Sequence, residues 1–400
     1  MEFCIKPEEQ NVEKKVRTAV IGYGMISNIY LKNLKNLFHI IDLVAVAGRS
    51  AAAARAQADA YGVERAMTIE EAAAAEDIEL AVVLTPASAH YGIIRQMLSA
   101  GKHVWTEKTM AVTVEQGREL TRLAEEKGLY LGVAPDTVLG AGIQTARAAL
   151  DRGMIGEVTS GLAVINRNQS LNAELFTFLR GEGGSLPYDV GIYYIGALLA
   201  LLGPVESVCA FGTPAKKHEP ELLYANAEAE PWTIPGSAVM SASLRFVSGA
   251  LVSVLFDGAT VNAPQHVLTL FGERGILKLG DPNTFNGEVR LVYAGGEECV
   301  LPFTHGYDGA NTLEPTPFDG YGHRGVGVAE MAYAIRRGRP NRCGKEYGLH
   351  CLEVLAAMEE STSSGKSVEI ASRFVMEPLK PGYYSQLGGM RGDAERSLMD

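Results

Sequence analysis

The segment Gly22-Tyr23-Gly24-Met25-Ile26-Ser27 directly follows the apolar run Val16–Gly22 and opens the helically spaced segment Ile26–Leu37. A glycine at 22 permits a tight turn, and one at 24 lets a ligand approach the backbone closely. The helix that follows offers unpaired N–H groups and a partial positive charge at its N-terminus. Strand, glycine turn and helix in that order suit a pyrophosphate, so the segment reads as a dinucleotide turn contacted through Gly22, Gly24, Met25 and Ile26. Ser27 takes the place of a third glycine, where a few extra atoms are tolerable.

The second apolar run ends Ala47-Gly48-Arg49-Ser50, with no carboxylate to accept the two ribose hydroxyls of NAD. Arg49 and Ser50 could instead hold a 2′-phosphate, Arg49 through a charge-assisted fork. NADP is therefore favoured over NAD, with both open. No His, Asp, Glu or Cys set has metal-ligand spacing, which predicts metal-independent chemistry.

These residues need a scaffold. The 400-residue chain is long enough for two cores, and its 47% hydrophobic and 21% charged content is that of a globular protein. A formal net charge of −11 argues against nucleic-acid binding, which rests on neutralising phosphates. Five scattered cysteines without CxxC spacing fit a reducing cytoplasm. The charged start MEFCIKPEEQNVEKK has no apolar signal segment, and Ile192–Leu202 is too short to span a bilayer, so no membrane association is expected.

Strand-like runs at Val16–Gly22, Ile41–Ala47, Glu79–Leu84, Lys102–Trp105 and Leu129–Val133 alternate with helical segments at Ile26–Leu37, Ala51–Tyr61, Ser88–Ala100 and Val114–Lys127. Nearly continuous apolar strands between helices predict a parallel sheet covered on both faces, the doubly wound Rossmann α/β pattern, over residues 1–135. Residues 136–380 read as a second α/β domain on an open, mainly antiparallel sheet. Its expected strands include Val158–Asn166, Val239–Val247, Ala250–Phe256 and Val267–Phe271, with a hairpin at Ser248-Gly249. Helices are expected at Ala141–Arg152, Ile192–Leu202, Val326–Arg337 and Tyr347–Ser364. The Gly-, Pro- and Asn-rich stretch Asp281–Tyr321 should give short edge strands and loops, and 381–400 a C-terminal extension.

Three further segments carry a family resemblance. Thr85-Pro86-Ala87-Ser88-Ala89-His90 is similar to a T-P-N-x-x-H turn, with alanine for asparagine. Ala100-Gly101-Lys102-His103-Val104-Trp105-Thr106-Glu107-Lys108-Thr109 resembles A-G-K-H-V-x-x-E-K-P, with Thr109 for proline. Gly183-Gly184-Ser185-Leu186-Pro187-Tyr188-Asp189-Val190-Gly191-Ile192-Tyr193 resembles G-G-x-x-x-D-x-G-x-H, with Tyr193 for histidine. With the glycine turn, these resemble the glucose–fructose oxidoreductase / inositol dehydrogenase (Gfo/Idh/MocA) family. The resemblance implies an NAD(P)-dependent dehydrogenase acting on a secondary hydroxyl or ketone of a sugar, sugar derivative or cyclitol. It also implies a homodimer or homotetramer assembled on the outer sheet face.

By the same resemblance Thr85, Pro86, His90, Glu107 and Lys108 line the cofactor, and Lys108, Asp189 and Tyr193 carry the chemistry. A Lys108 ammonium could stabilise negative charge on the reacting oxygen. Tyr193 could exchange the proton if a neighbouring ammonium lowers its pKa, with Lys108 itself as the alternative. Asp189, one helical turn earlier, would orient substrate or Lys108. Each has a plainer reading: a solvated lysine, a core tyrosine, a helix-end carboxylate and, for His90, a local hydrogen-bonder. Asn166, Arg167 and Asn168 end a strand and are candidate substrate contacts, with His323 and Arg324 as further ones. A glycosidase of the same fold using transient oxidation, and a non-catalytic NAD(P) sensor, are rival readings.

Overall fold

The computed structural model describes residues 13–220, 230–308 and 324–381. His323, the stretch 309–321 and all but the first residue of the expected C-terminal extension lie outside the described residues.

Strands β1 (Val16–Ile21), β2 (Ile41–Gly48), β3 (Arg65–Thr68), β4 (Leu80–Val83), β5 (His103–Thr106) and β6 (Leu131–Val133) form one sheet in the order β3-β2-β1-β4-β5-β6. Every pairing in it is parallel. Helices α1 (Met25–Asn36), α2 (Ala51–Ala60), α3 (Ile69–Ala74), α4 (Ala87–Ser99) and α5 (Val114–Glu126) make the crossovers. Val20, Ile21 and all four residues of β4 are fully buried, because helices cover both faces and leave no side for polar residues. The strand order reverses between β1 and β4, which opens a crevice beyond their carboxyl ends. Gly22, Thr85 and Lys108 all leave the sheet at that edge, immediately after or two residues beyond β1, β4 and β5.

The periodicity did not predict β3 and α3. The start of α3 is nonetheless written in Thr68-x-x-Glu71, a reciprocal capping box in which the Thr68 hydroxyl accepts from Glu71 N at 3.1 Å and Glu71 Oε2 accepts from Thr68 N at 2.8 Å. A four-residue, half-buried edge strand is too short to show a pattern.

The second half comprises α6 (Ala141–Asp151), β7 (Val158–Asn166), α7 (Gln169–Leu175), α8 (Ile192–Leu202), β8 (Val205–Pro214), β9 (Ser237–Phe246) and β10 (Leu251–Asp257). It continues with β11 (His266–Gly272), β12 (Gly275–Leu279), β13 (Val289–Tyr293), β14 (Glu298–Val300), α9 (Val326–Arg337), α10 (Lys345–Ser364) and β15 (Val368–Glu369). Its strands form a nine-stranded sheet, β14-β13-β12-β11-β7-β10-β9-β8-β15, in which only β7 and β10 pair in parallel. The expected hairpin turns at Gly249, whose φ of 92° suits glycine. Along β9 and β10 buried and exposed residues alternate, so one face packs on helices and the other is open. Ile192 to Leu201 of α8 are all buried, as a helix apolar on every side must be. That core helix fixes Tyr193 on its first turn.

Candidate active site

The glycine turn is tight at Gly22 and open at Gly24. Gly22 has φ +112°, and a Cβ there would sit 3.0 Å from the Leu84 carbonyl group. A Cβ at Gly24 would meet nothing within 4 Å, so the space above the start of α1 is open. No side chain caps that helix, which leaves its first N–H groups for a ligand. Ser27 is buried and ties the turn together, its hydroxyl donating to Gly24 O at 2.7 Å. Across the crevice the buried Thr85 Oγ1 has no partner among the described residues. An open glycine cradle, an uncapped helix start and an orphaned hydroxyl together fit a bound dinucleotide.

At the end of β2, Ser50 caps α2 by accepting from Ala53 N at 3.4 Å, while Arg49 is exposed. A Cβ at Gly48 would lie 2.2 Å from Tyr23 Cε1. The Tyr23 ring thus occupies the place where a side chain at 48 would begin.

Lys108 lies two residues beyond β5, in a loop where the Lys108–Thr109 peptide is cis. Its Nζ donates to Asp189 Oδ1 at 2.7 Å and to Asp189 O at 2.6 Å. The other carboxylate oxygen, Asp189 Oδ2, accepts from Arg167 and, at 3.2 Å, from Gln169 Nε2. Gln169 also donates to Gly184 O at 2.7 Å and accepts from Arg167 Nε at 2.8 Å, so it locks the pair from below. Burial alone would raise the Asp189 carboxyl, but Lys108 and Arg167 outweigh it and hold it at about 2. Burial likewise works against the Lys108 ammonium, and Asp189, Tyr193 and Glu107 more than offset it, so its pKa lies above the ordinary lysine value. Both groups are charged at neutral pH.

Tyr193 stands with its ring 5.5 Å from Lys108 Nζ. Its hydroxyl accepts from Arg324 Nη2 at 3.2 Å. The expectation that an ammonium lowers the Tyr193 pKa into the working range is corrected here. The side chain is only 6% exposed, and burial raises the value above 10.0 despite Arg324 and Lys108. The phenol is therefore protonated at neutral pH.

The remaining predicted residues take varied places. Glu107 is a buried brace, accepting from Tyr30 OH at 2.8 Å and from Lys108 N at 3.1 Å. Both His90 nitrogens face carbonyls, Thr109 O at 2.6 Å and Thr85 O at 2.7 Å, so the ring joins the two cofactor-side loops. Burial holds its pKa below the usual histidine value. Pro86 starts α4. Arg167 reaches the cluster. Asn166 does not, because its side chain holds Ala263 O at 3.4 Å and Gln265 N at 2.9 Å. Asn168 caps α7 through Leu171 N at 2.9 Å. Sequence reasoning missed Gln169 altogether and ranked Arg324 only as a further substrate contact. Nothing near either residue announces a role, because their partners lie 20 and 131 positions away.

Comparison with known proteins places the fold in a family. Residues 16–134 match the oxidoreductase family with an NAD-binding Rossmann fold, and residues 143–278 match the GFO/IDH/MocA C-terminal domain. The scyllo-inositol 2-dehydrogenase (NADP(+)) of Bacillus subtilis is 26% identical over 196 residues, covering 49% of this chain and 54% of that protein. The inositol 2-dehydrogenase of Rhizobium meliloti is 31% identical over 169 residues, covering 42% and 50%. The chain spans about half the length of these curated relatives. A levoglucosan dehydrogenase solved with NADH and L-sorbose shares the fold, with a TM-score of 0.75 at 18% identity over 90% of this chain and 99% of that one.

Proposed function

The chain belongs to the Gfo/Idh/MocA oxidoreductase family, and we propose that it is a nicotinamide-dependent dehydrogenase acting on a secondary hydroxyl, or the corresponding ketone, of a sugar, sugar derivative or cyclitol. The observation that carries this reading is the Lys108–Asp189 pair at 2.7 Å, with Tyr193 against it, at the sheet edge that holds the glycine turn. A nicotinamide supplies or accepts the hydride when bound. Gly22, Gly24, Met25, Ile26, Thr85 and Pro86 are the residues to hold it.

The protein's own groups handle the proton and the charge. In reduction the Tyr193 O–H bond breaks and its proton passes to the substrate oxygen, while the Lys108 ammonium stabilises the negative charge that develops there. Oxidation runs the same step backwards. Asp189 keeps Lys108 charged and aimed, and Arg167 beside it is a donor for further hydroxyls. The Tyr193 hydroxyl accepts from Arg324 and has no acceptor among the described residues, which supports its proton being available to substrate.

The missing carboxylate at 48 and the exposed Arg49 support NADP over NAD. The open sheet face, with Phe211, Leu251 and Leu255 exposed, supports a homodimer or homotetramer. The test is a panel of sugars and cyclitols, with each cofactor, followed at the reduced-nicotinamide absorbance. Turnover on at least one polyol with NADP is expected. Cofactor binding without hydride transfer to any of them would overturn the proposal, and a preference for NAD would overturn the cofactor choice.

A further inference from the structure

Arg324 immediately precedes Gly325, the N-cap of α9, far in sequence from the motif residues, yet the residue is only 3% exposed and its guanidinium reaches Tyr193. Nη2 donates to Tyr193 OH at 3.2 Å and to Asn283 Oδ1 at 2.6 Å. Its carbon lies 5.1 Å from the Tyr193 ring centroid. Among the described residues no carboxylate comes within ion-pair distance of it. Its direct side-chain hydrogen-bond partners, Tyr193 OH and Asn283 Oδ1, are neutral, while the carboxylates of Asp136 and Glu107 act on it from beyond ion-pair distance. Of the groups it touches directly, the Tyr193 oxygen is the one that becomes negative once its proton has left.

The backbone around Arg324 is held independently of its side chain. Asn33 Nδ2, on the helix that starts at the cofactor turn, donates to Arg324 O at 2.8 Å. The N–H groups of Gly325 and Gly327 donate to Asp136 Oδ2 at 2.9 and 3.1 Å. The guanidinium is thus presented to Tyr193 by anchors on α1 and on the segment after β6, and removing it leaves those anchors in place.

We propose that Arg324 is a positioning residue for proton transfer, holding the Tyr193 oxygen in place and stabilising the tyrosinate formed when the proton moves to substrate. This rests on the reading that Tyr193 exchanges the proton. Lys108, Glu107 and Asp189 also face Tyr193, while Asp136, Glu107, Tyr30 and Tyr307 surround Arg324. Lys108 is already matched by Asp189, so its charge is shared. Arg324 is foremost among the groups that oppose the effect of burial on Tyr193.

The test places a fluorinated, more acidic tyrosine at 193 and follows its ionisation by fluorine NMR as pH is raised. It is run with Arg324, Arg324→Gln and Arg324→Lys. Replacement by glutamine should raise the midpoint by about one to three pH units, the range for losing an opposite charge at this distance. Lysine should return much of that shift. Midpoints that coincide in the arginine and glutamine proteins would overturn the proposal. Turnover of Tyr193→Phe tests the underlying reading separately: if it matches wild type, the proton-transfer role fails and the proposal falls with it, whatever the NMR shows. If Tyr193→Phe loses turnover while the midpoints coincide, only Arg324's role fails.

Discussion

Two aspartates in this protein have carboxyls held at about 2, and they reach that value by opposite routes. Asp77 lies on the surface, 43% exposed, where hydrogen bonds from Arg65 at 2.9 Å and Arg17 at 2.6 Å lower it against little desolvation. Asp189 is 12% exposed, and burial pushes its carboxyl up. The pull of Lys108 and Arg167, with a hydrogen bond from Gln169, overcomes that. The same end value therefore reports a loose, solvated cluster in one place and a mutually dependent triad in the other. Equal shifts do not mean equal importance.

The comparison is sharpened most by Lys108→Met. Turnover should fall about 100- to 10,000-fold, the range for a lost proton-transfer or charge-stabilising group. Nicotinamide binding should persist, because the glycine turn is untouched; binding by fluorescence titration and turnover by absorbance separate the two. Wild-type turnover in this variant would remove Lys108 from the chemistry.

Asp189→Ala comes next. It leaves Lys108 and Arg167 as partly buried cations facing each other, 16% and 20% exposed, and should cost up to about 3–5 kcal/mol in denaturant unfolding. A loss below about 1 kcal/mol would make the triad energetically equivalent to a surface cluster.

Acid should affect both aspartates, and salt should tell them apart. Each carboxyl lies below its unfolded value near 3.8, so its contribution to stability is complete above that pH and is lost as pH falls through about 2. Added salt should weaken the Asp77 share, which is exposed and screened, and leave the Asp189 share nearly intact. Unfolding curves at pH 5 and pH 3, at low and about 1 M salt, would show this. A salt response that is equal in wild type and Asp77→Asn would contradict it.

The smallest effect belongs to Asp77→Asn itself. Solvent screening limits it to less than about 1 kcal/mol, with turnover unchanged. A larger loss would mean that the Arg17, Arg65 and Asp42 cluster braces the parallel sheet.

Much of the scaffold was legible in the chain because its signals are local. The runs that became β1 and β2, the glycine turn and the boundaries of β7 and α9 follow from apolar periodicity and turn chemistry within a few residues. Edge strand β3 and short helix α7 were not seen, since four or seven residues carry too little pattern even with Thr68 and Asn168 capping the helices that follow. Lys108, Asp189 and Tyr193 were found through motif resemblance, and the fold brings them together. Asn166, chosen only for its place at a strand end, holds a loop instead.

The sequence by itself determined where the glycine turn lies, which sheet carries it and which ionisable residues stand after the strands. Tertiary structure alone decided what those residues are to one another. Asp189 stays ionised because Arg167 and Lys108 converge on it, and Tyr193 stays protonated because burial outweighs the two cations beside it. Arg324 enters the site across 131 positions of chain. The physical reason is that desolvation and charge pairing depend on distance through space, and the side-chain list along a strand or helix does not contain that distance.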